Sequence, residues 1–123
     1  GGSDIAANSV YQWTLVGRDT GDKGTDSAGS DDKIRMSRAI GNASQESAFS
    51  EVTLFNPHNT DDFTWVQYKT CHPNAAGEAT VVSGAGYSNH GVGSAYEQTG
   101  MRFFLSSGNI SSGKFSLYGR KHS

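Results

Sequence analysis

The sequence is poor in cysteine and proline, and it has no long run of apolar residues. Cys71 is the only cysteine among 123 residues, so no disulfide can form within the chain. Such cysteine usage fits folding in a reducing compartment. No apolar run approaches the length that crosses a bilayer as a helix, so we expect no membrane insertion. These shortages exclude a disulfide-stapled scaffold and a helical membrane protein.

An excess of charge of one sign is also missing. The chain has 10 Lys and Arg against 12 Asp and Glu, which gives a net charge of -2. Proteins that bind nucleic acid through its phosphates need clustered cations. The one basic cluster, at residues 120–122, is short, and we interpret it as a solvated tail. We therefore expect no nucleic-acid partner.

Glycine, by contrast, is abundant, with 16 residues, and the aromatic residues are spread along the chain. This composition favours short strands joined by Gly-rich turns. Strand patterns lie at residues 10–16, 33–38, 49–55, 63–70, 78–83, 101–106 and 114–119, and the two runs at 63–70 and 78–83 indicate a hairpin. Residues 17–32 and 84–95 are interpreted as polar or Gly-rich loops, with a bulged strand near Tyr87 as an option. The fold predicted is all-β, a jelly-roll-like antiparallel β-sandwich of about seven or eight strands in a single domain.

Aromatic side chains are the candidate ligand-binding groups. Flat amphipathic rings suit wet, polar ligands such as sugars. The run at 63–70 places Phe63 and Trp65 on one face and Tyr68 on the other, so at least one face must belong to the core. The candidates for ligand binding are Trp65, Tyr68, Tyr87 and Tyr96. For the tryptophans, packing in the core is the competing interpretation.

Patterns that carry catalysis or metal binding are scarce. Cys71 and His72 are adjacent, and no histidine pair has metal-ligand spacing. The carboxylates at residues 17–26 are of the kind calcium prefers, but their spacing matches no calcium motif. Neither a nucleophile elbow nor a converging carboxylate pair is indicated. We expect no catalytic residue, no metal and no cofactor, and a hydrolase would require carboxylates that converge in space.

The C-terminal residues carry the most specific pattern in the chain. An aromatic run at 101–105 is followed by SSGNISSG at 106–113 and by LYG at 117–119. This ending resembles a recurrent ending of tailed-bacteriophage virion structural proteins. Shorter stretches at 32–36, 40–43, 53–57 and 82–86 agree with that family in the same order, so the resemblance spans residues 10–121. Because the family's sequences usually continue N-terminally, Gly1–Ser3 is expected to be native and the chain to be the C-terminal part of a longer protein.

The resemblance implies a virion component of fibre, spike, tail-tip or decoration type, assembled in the bacterial cytoplasm. With the long polar loops and spare aromatics, it predicts attachment to a host-surface glycan. The first alternative is a capsid decoration or tail subunit that binds only other virion proteins. A carbohydrate-binding module of a cellular enzyme is a further alternative, which the C-terminal motif disfavours. The expected partners are other virion subunits, including further copies of the chain in a homo-oligomer, with a trimer favoured.

The final hairpin is expected to have a buried and an exposed face. The side chains expected in the core are Phe103, Leu105, Phe115 and Leu117. The side chains expected at a subunit interface are Arg102, Phe104, Tyr118 and Arg120. Tyrosine and arginine are enriched in interfaces, which supports this choice. If the first set is core, Phe103→Ala or Leu117→Ala should reduce stability by about 2 to 5 kcal/mol.

Overall fold

A computed structural model describes residues 11–21, 23–57, 61–88 and 100–120, and the statements below concern these residues. They form five strands: β1 (Tyr11–Arg18), β2 (Lys23–Asp31), β3 (Phe49–Phe55), β4 (Thr64–Pro73) and β5 (Ala79–Ser88). The described ranges contain no helix, and so none that is long and apolar enough to cross a membrane. The predicted all-β class is confirmed.

The five strands form one antiparallel sheet in the order β2-β1-β5-β4-β3. Three pairings join strands that are neighbours in sequence: β1 with β2, β3 with β4, and β4 with β5. The fourth joins β1 to β5 at the centre of the sheet. The predicted hairpin of 63–70 with 78–83 is therefore present as β4 and β5. Since β2 and β3 lie at opposite edges, residues 32–48 must cross the sheet to connect them.

One face of the sheet, here called the covered face, carries the core. Trp13 and Leu15 of β1 pack there with Tyr68 of β4 and Val82 of β5. The crossing residues 32–48 lie over this face, and two of their side chains, Ile34 and Met36, pack against the core. The Tyr68 hydroxyl donates a hydrogen bond to the backbone carbonyl of Arg35. Strand alternation thus buries one side of the sheet under its own connection.

Gly84 makes room for the ring of Tyr68 on the covered face. A Cβ at Gly84 would lie 2.5 Å from the Tyr68 hydroxyl and 2.6 Å from the carbonyl oxygen of Thr14. Any side chain here would push the tyrosine away from the sheet. Glycine within a strand often marks such a close approach.

Residues 17–32 are not a long loop, so that prediction is wrong. β2 pairs with β1 from Arg18 opposite Lys23 to Tyr11 opposite Asp31. Backbone pairing holds this edge strand although its side chains are small and polar, which is why periodicity missed it. At its end Asp31 accepts a hydrogen bond from the indole of Trp13 (3.0 Å), which ties the edge to the core.

Residues 33–38 are not a strand, and this prediction is also wrong. Ile34 and Met36 do face inward, as expected, but the segment makes no ladder and lies across the covered face. An extended segment that packs with one side on a surface alternates apolar and polar residues as a strand does. The pattern therefore identified the buried side chains correctly, but it wrongly predicted that residues 33–38 are hydrogen-bonded as a strand.

Residues 100–120 contain no strand, and every one of them is exposed. The predicted strands at 101–106 and 114–119, and the burial of their apolar side chains, are therefore wrong for the single chain. Leu117, for example, is 99% exposed. The two halves do approach each other, because the rings of Phe103 and Phe115 stack with centroids 5.6 Å apart.

Candidate functional site

The side of the sheet opposite the core, here called the open face, carries an uncovered row of large side chains. The strand registers align Gln12 with Tyr87, Tyr87 with Trp65, and Trp65 with Phe55. This row therefore runs across β1, β5, β4 and β3. Trp65 and Phe55 are 43% and 44% exposed, so no part of the chain that the structure describes covers them fully.

Three rings near the start of β4 form a packed group, here called the aromatic cluster: Phe63, Trp65 and Tyr87. Tyr87 lies between the other two, with centroid distances of 4.7 Å to each ring and interplanar angles of 36° and 34°. Phe63 and Trp65 share a face because they are two residues apart in an extended chain. Tilted aromatic pairs at such distances stabilise each other by about 0.5 to 1.5 kcal/mol beyond burial. The rings are thus held in place before any ligand arrives.

Neutral polar side chains lie beside the cluster. The next row of the open face contains Thr14 on β1, Gln67 on β4 and Thr53 on β3, with Ala85 between them. Rows on one face of a strand are about 6.5 to 7 Å apart. Amide and hydroxyl groups are therefore available within a short reach of the exposed rings, and they both donate and accept hydrogen bonds.

The structure separates the predicted ligand-binding residues. Trp65 and Tyr87 come together in the aromatic cluster. Tyr68 lies on the covered face at 3% exposure, so its assignment to a ligand site is wrong. Its burial raises the pKa of its phenol to about 12. Tyr96 lies outside the described residues.

The sequence prediction did not select Phe63 as a binding residue. The signal was present, because the alternation at 63–70 already placed Phe63 and Trp65 on the same face. What the alternation alone could not supply was the position of Tyr87. That depends on the register between β4 and β5, which sets Trp65 opposite Tyr87.

The four predicted interface residues are all exposed. The Arg102 guanidinium lies 5.2 Å from the centre of the Phe104 ring, a cation–π contact that places both side chains on one side of the segment. Tyr118 and Arg120 follow in the second half of the same segment. These four lie within residues 100–120, whereas the aromatic cluster belongs to β4, β5 and the residue before β4.

The groups weighed as metal ligands have structural contacts instead. His72 is buried in β4, where its Nδ1 lies 2.8 Å from the carbonyl oxygen of Pro73. Asp19 accepts hydrogen bonds from the Gly21 amide (2.9 Å) and from the Asn74 side chain (3.2 Å), linking two hairpin turns. Across the described ranges, no group of three His, Cys, Asp or Glu is placed to hold a metal ion. The other three histidines lie outside those ranges.

Comparison of the chain with protein-family models, curated proteins and solved structures finds no match. We therefore infer the kind of ligand from the chemistry of the open face. Exposed, preorganised rings beside neutral hydrogen-bonding groups suit stacking and hydrogen bonding with an uncharged, amphipathic ligand. The open face is therefore the candidate binding site.

Proposed function

We propose that the chain is a structural domain of a bacteriophage virion, of fibre, spike or tail-tip type, that attaches to a glycan on the host surface. The observation that carries the attachment proposal is the aromatic cluster, packed on an uncovered sheet face beside a polar row. The resemblance of the C-terminal residues to virion proteins supports the proposal that the domain belongs to a virion. The ligand would be a neutral stretch of a surface polysaccharide.

A sugar ring matches this surface in two ways. Its C–H face can lie on an aromatic ring, and its hydroxyl groups project at the edge. Trp65 offers the exposed ring, and Gln67 and Thr53 in the next row offer hydrogen-bonding groups. Because Tyr87 already packs against the indole, and Phe63 against Tyr87, little side-chain freedom would be lost on binding.

The finer architecture is part of the proposal. A jelly-roll-like sandwich of seven or eight strands needs more strands than the five of the sheet. Residues 101–106 and 114–119 have strand-forming sequences and would supply two of them after pairing in the assembled protein. The strands beyond these five are thus proposed for the assembly rather than for the single chain.

Substitution within the aromatic cluster tests the attachment proposal. Trp65→Ala and Tyr87→Ala should each weaken polysaccharide binding at least tenfold, which corresponds to about 1.4 kcal/mol. Val16→Ala is the matched control, since it removes an exposed apolar side chain from the same face away from the cluster. Binding would be measured by calorimetry against purified O-polysaccharides and capsular polysaccharides whose repeating units are uncharged. Absence of binding to every one of them, or equal binding by all variants, would contradict the proposal.

A second candidate is a decoration or tail subunit that binds only other virion proteins. It is favoured by the large apolar side chains that residues 100–120 expose. A fixed number of copies on the particle, together with no glycan binding, would support this candidate over attachment.

A further inference from the structure

The C-terminal segment, residues 100–120, has apolar side chains that the single chain leaves uncovered. Every residue in it is exposed, and it forms no ladder with the sheet. Its large exposed apolar side chains include Met101, Phe103, Phe104, Phe115, Leu117 and Tyr118. Soluble proteins that expose contiguous apolar surface of this kind commonly bury it against a partner.

The charge of the segment differs from that of the rest of the chain. Its charged side chains are Arg102, Lys114 and Arg120, with no Asp or Glu among them. All 12 Asp and Glu of the chain lie before residue 98. The segment is therefore cationic and apolar, and the body of the chain is acidic. Opposite charge favours association of the two and fixes their orientation.

Among the residues that the structure describes, one edge of the sheet is unguarded, and such a segment could add to it. At the β2 edge, charged residues and glycines interrupt the strand, which is the usual protection against pairing with another chain. At the β3 edge, Glu51 is the single charged residue of the strand, and no proline or lysine is present. Phe49, Leu54 and Phe55 are exposed along this edge. The β3 edge is thus apolar, with Glu51 as the one acidic side chain of the strand and Lys69 of β4 opposite it in the register.

We propose that the C-terminal segment of one copy adds as a strand to β3 of a second copy. Backbone hydrogen bonds to the open edge would supply affinity, and alternate side chains would supply specificity. In the stretch 114–119, Phe115 and Leu117 would cover one side of the joint, and the cations of the segment would approach Glu51. This deepens the assembly candidate above, on which it rests, and it requires no glycan.

The partner is a second copy because donor and acceptor are both on this chain and stay apart within it. In one copy every residue of the segment is exposed, while β3 pairs, within the sheet, with β4 alone. Donation from copy to copy satisfies both surfaces in every subunit. It closes as a mutual exchange in a dimer or as a ring in a trimer.

Charge substitutions in the donor and the acceptor test this interface. Leu117→Asp and Thr53→Lys should each raise the dissociation constant of the oligomer at least tenfold, measured by sedimentation of the full chain. Ser112→Asp, between the two stretches of the segment, is the donor control, and Thr25→Lys, on the opposite edge strand β2, is the acceptor control. Both controls should assemble as the unsubstituted chain does. A chain that is monomeric at all accessible concentrations, or assembly that Leu117→Asp and Thr53→Lys leave unchanged, would overturn the proposal.

Disulfide trapping distinguishes donation between copies from addition within one chain. With exposed Cys71 replaced by serine, Thr53→Cys and Ser116→Cys are placed in separate chains, mixed and oxidised. The expected product is a disulfide between the two different chains. A disulfide that forms only when one chain carries both cysteines would overturn donation between copies. The attachment proposal is tested separately, on the unsubstituted chain. A monomer that binds polysaccharide would contradict only this interface, and an oligomer that binds none would contradict only attachment.

Discussion

Tyr68 and Trp65 lie three residues apart on β4 and have opposite surroundings. An odd separation along a strand puts two side chains on opposite faces. Tyr68 is buried against the crossing residues and donates its hydroxyl proton to the Arg35 carbonyl, while Trp65 is exposed in the aromatic cluster. One strand thus contributes a core tyrosine on one face and a candidate binding residue on the other.

The hydrogen bond of Tyr68 should contribute measurably to stability. Tyr68→Phe should lower the free energy of unfolding by about 1 to 2 kcal/mol, because the Arg35 carbonyl loses its donor in a partly buried place. Burial raises the pKa of the Tyr68 phenol to about 12, whereas an unfolded tyrosine ionises near pH 10. The part of the folding free energy that is linked to this raised pKa is therefore present below about pH 10, and it is lost as the pH rises toward 12.

Urea unfolding at a series of pH values checks this prediction. Tyr118→Phe is the control, because Tyr118 is highly exposed and its change should alter stability by less than about 0.5 kcal/mol. Equal stability of Tyr68→Phe and the unsubstituted chain, with the same decline above pH 10, would show that the hydroxyl does not hold the crossing residues.

At the scale of elements, the strands differ in how strongly they stabilise the single chain. β1, β4 and β5 supply the core, whereas the C-terminal segment supplies none of it. Two leucines express this difference: Leu15 in β1 is 2% exposed, and Leu117 in the segment lies in solvent.

Leu15→Ala and Leu117→Ala should therefore have very different effects. Leu15→Ala should lower the free energy of unfolding by about 2 to 5 kcal/mol, since it leaves a cavity in the core. Leu117→Ala should change it by less than about 0.5 kcal/mol in dilute, monomeric protein. Denaturant unfolding at low protein concentration measures both. A large effect of Leu117→Ala under those conditions would return the segment to the core that the sequence pattern predicted.

The same elements show what sequence alone can predict. The alternation at 10–16 and 63–70 predicted strands because large side chains there bury one face of a sheet. β2 was missed because an edge strand needs backbone pairing rather than apolar side chains, and its Gly, Ser and Asp residues resemble a loop. At 33–38 the apolar positions were right and the strand was wrong, because packing of one side on the sheet produces the same alternation.

The candidate site was predictable to a similar degree. Trp65 and Tyr87 were selected as exposed-ring candidates, but Tyr68 was selected with them because alternation does not say which face is covered. The crossing residues 32–48 decide that, and their path follows from the placement of β2 and β3 at opposite edges. Such long-range pairing is not encoded in any local pattern, so the sequence could list the aromatics without grouping them.

At the scale of the whole molecule, the described ranges give the sheet one covered face, one open face and one unguarded edge. The aromatic cluster lies on the open face, and a strand added to β3 would extend the sheet within its own plane. Assembly through the edge therefore leaves the aromatic cluster accessible. An oligomer would present several copies of the cluster, and multivalent contact strengthens weak glycan binding without any new contact per site.

The central claim is that the aromatic cluster is the ligand site, and the fluorescence of Trp65 tests it most directly. The chain has two tryptophans, of which Trp13 is 7% exposed in the core and Trp65 is 43% exposed on the open face. When a bound polysaccharide covers the cluster, acrylamide quenching of Trp65 should fall and its emission should shift to shorter wavelength. Trp65→Phe, which leaves Trp13 alone, should show neither change. Binding of a polysaccharide with no change in Trp65 quenching would contradict the claim and place the site elsewhere on the molecule.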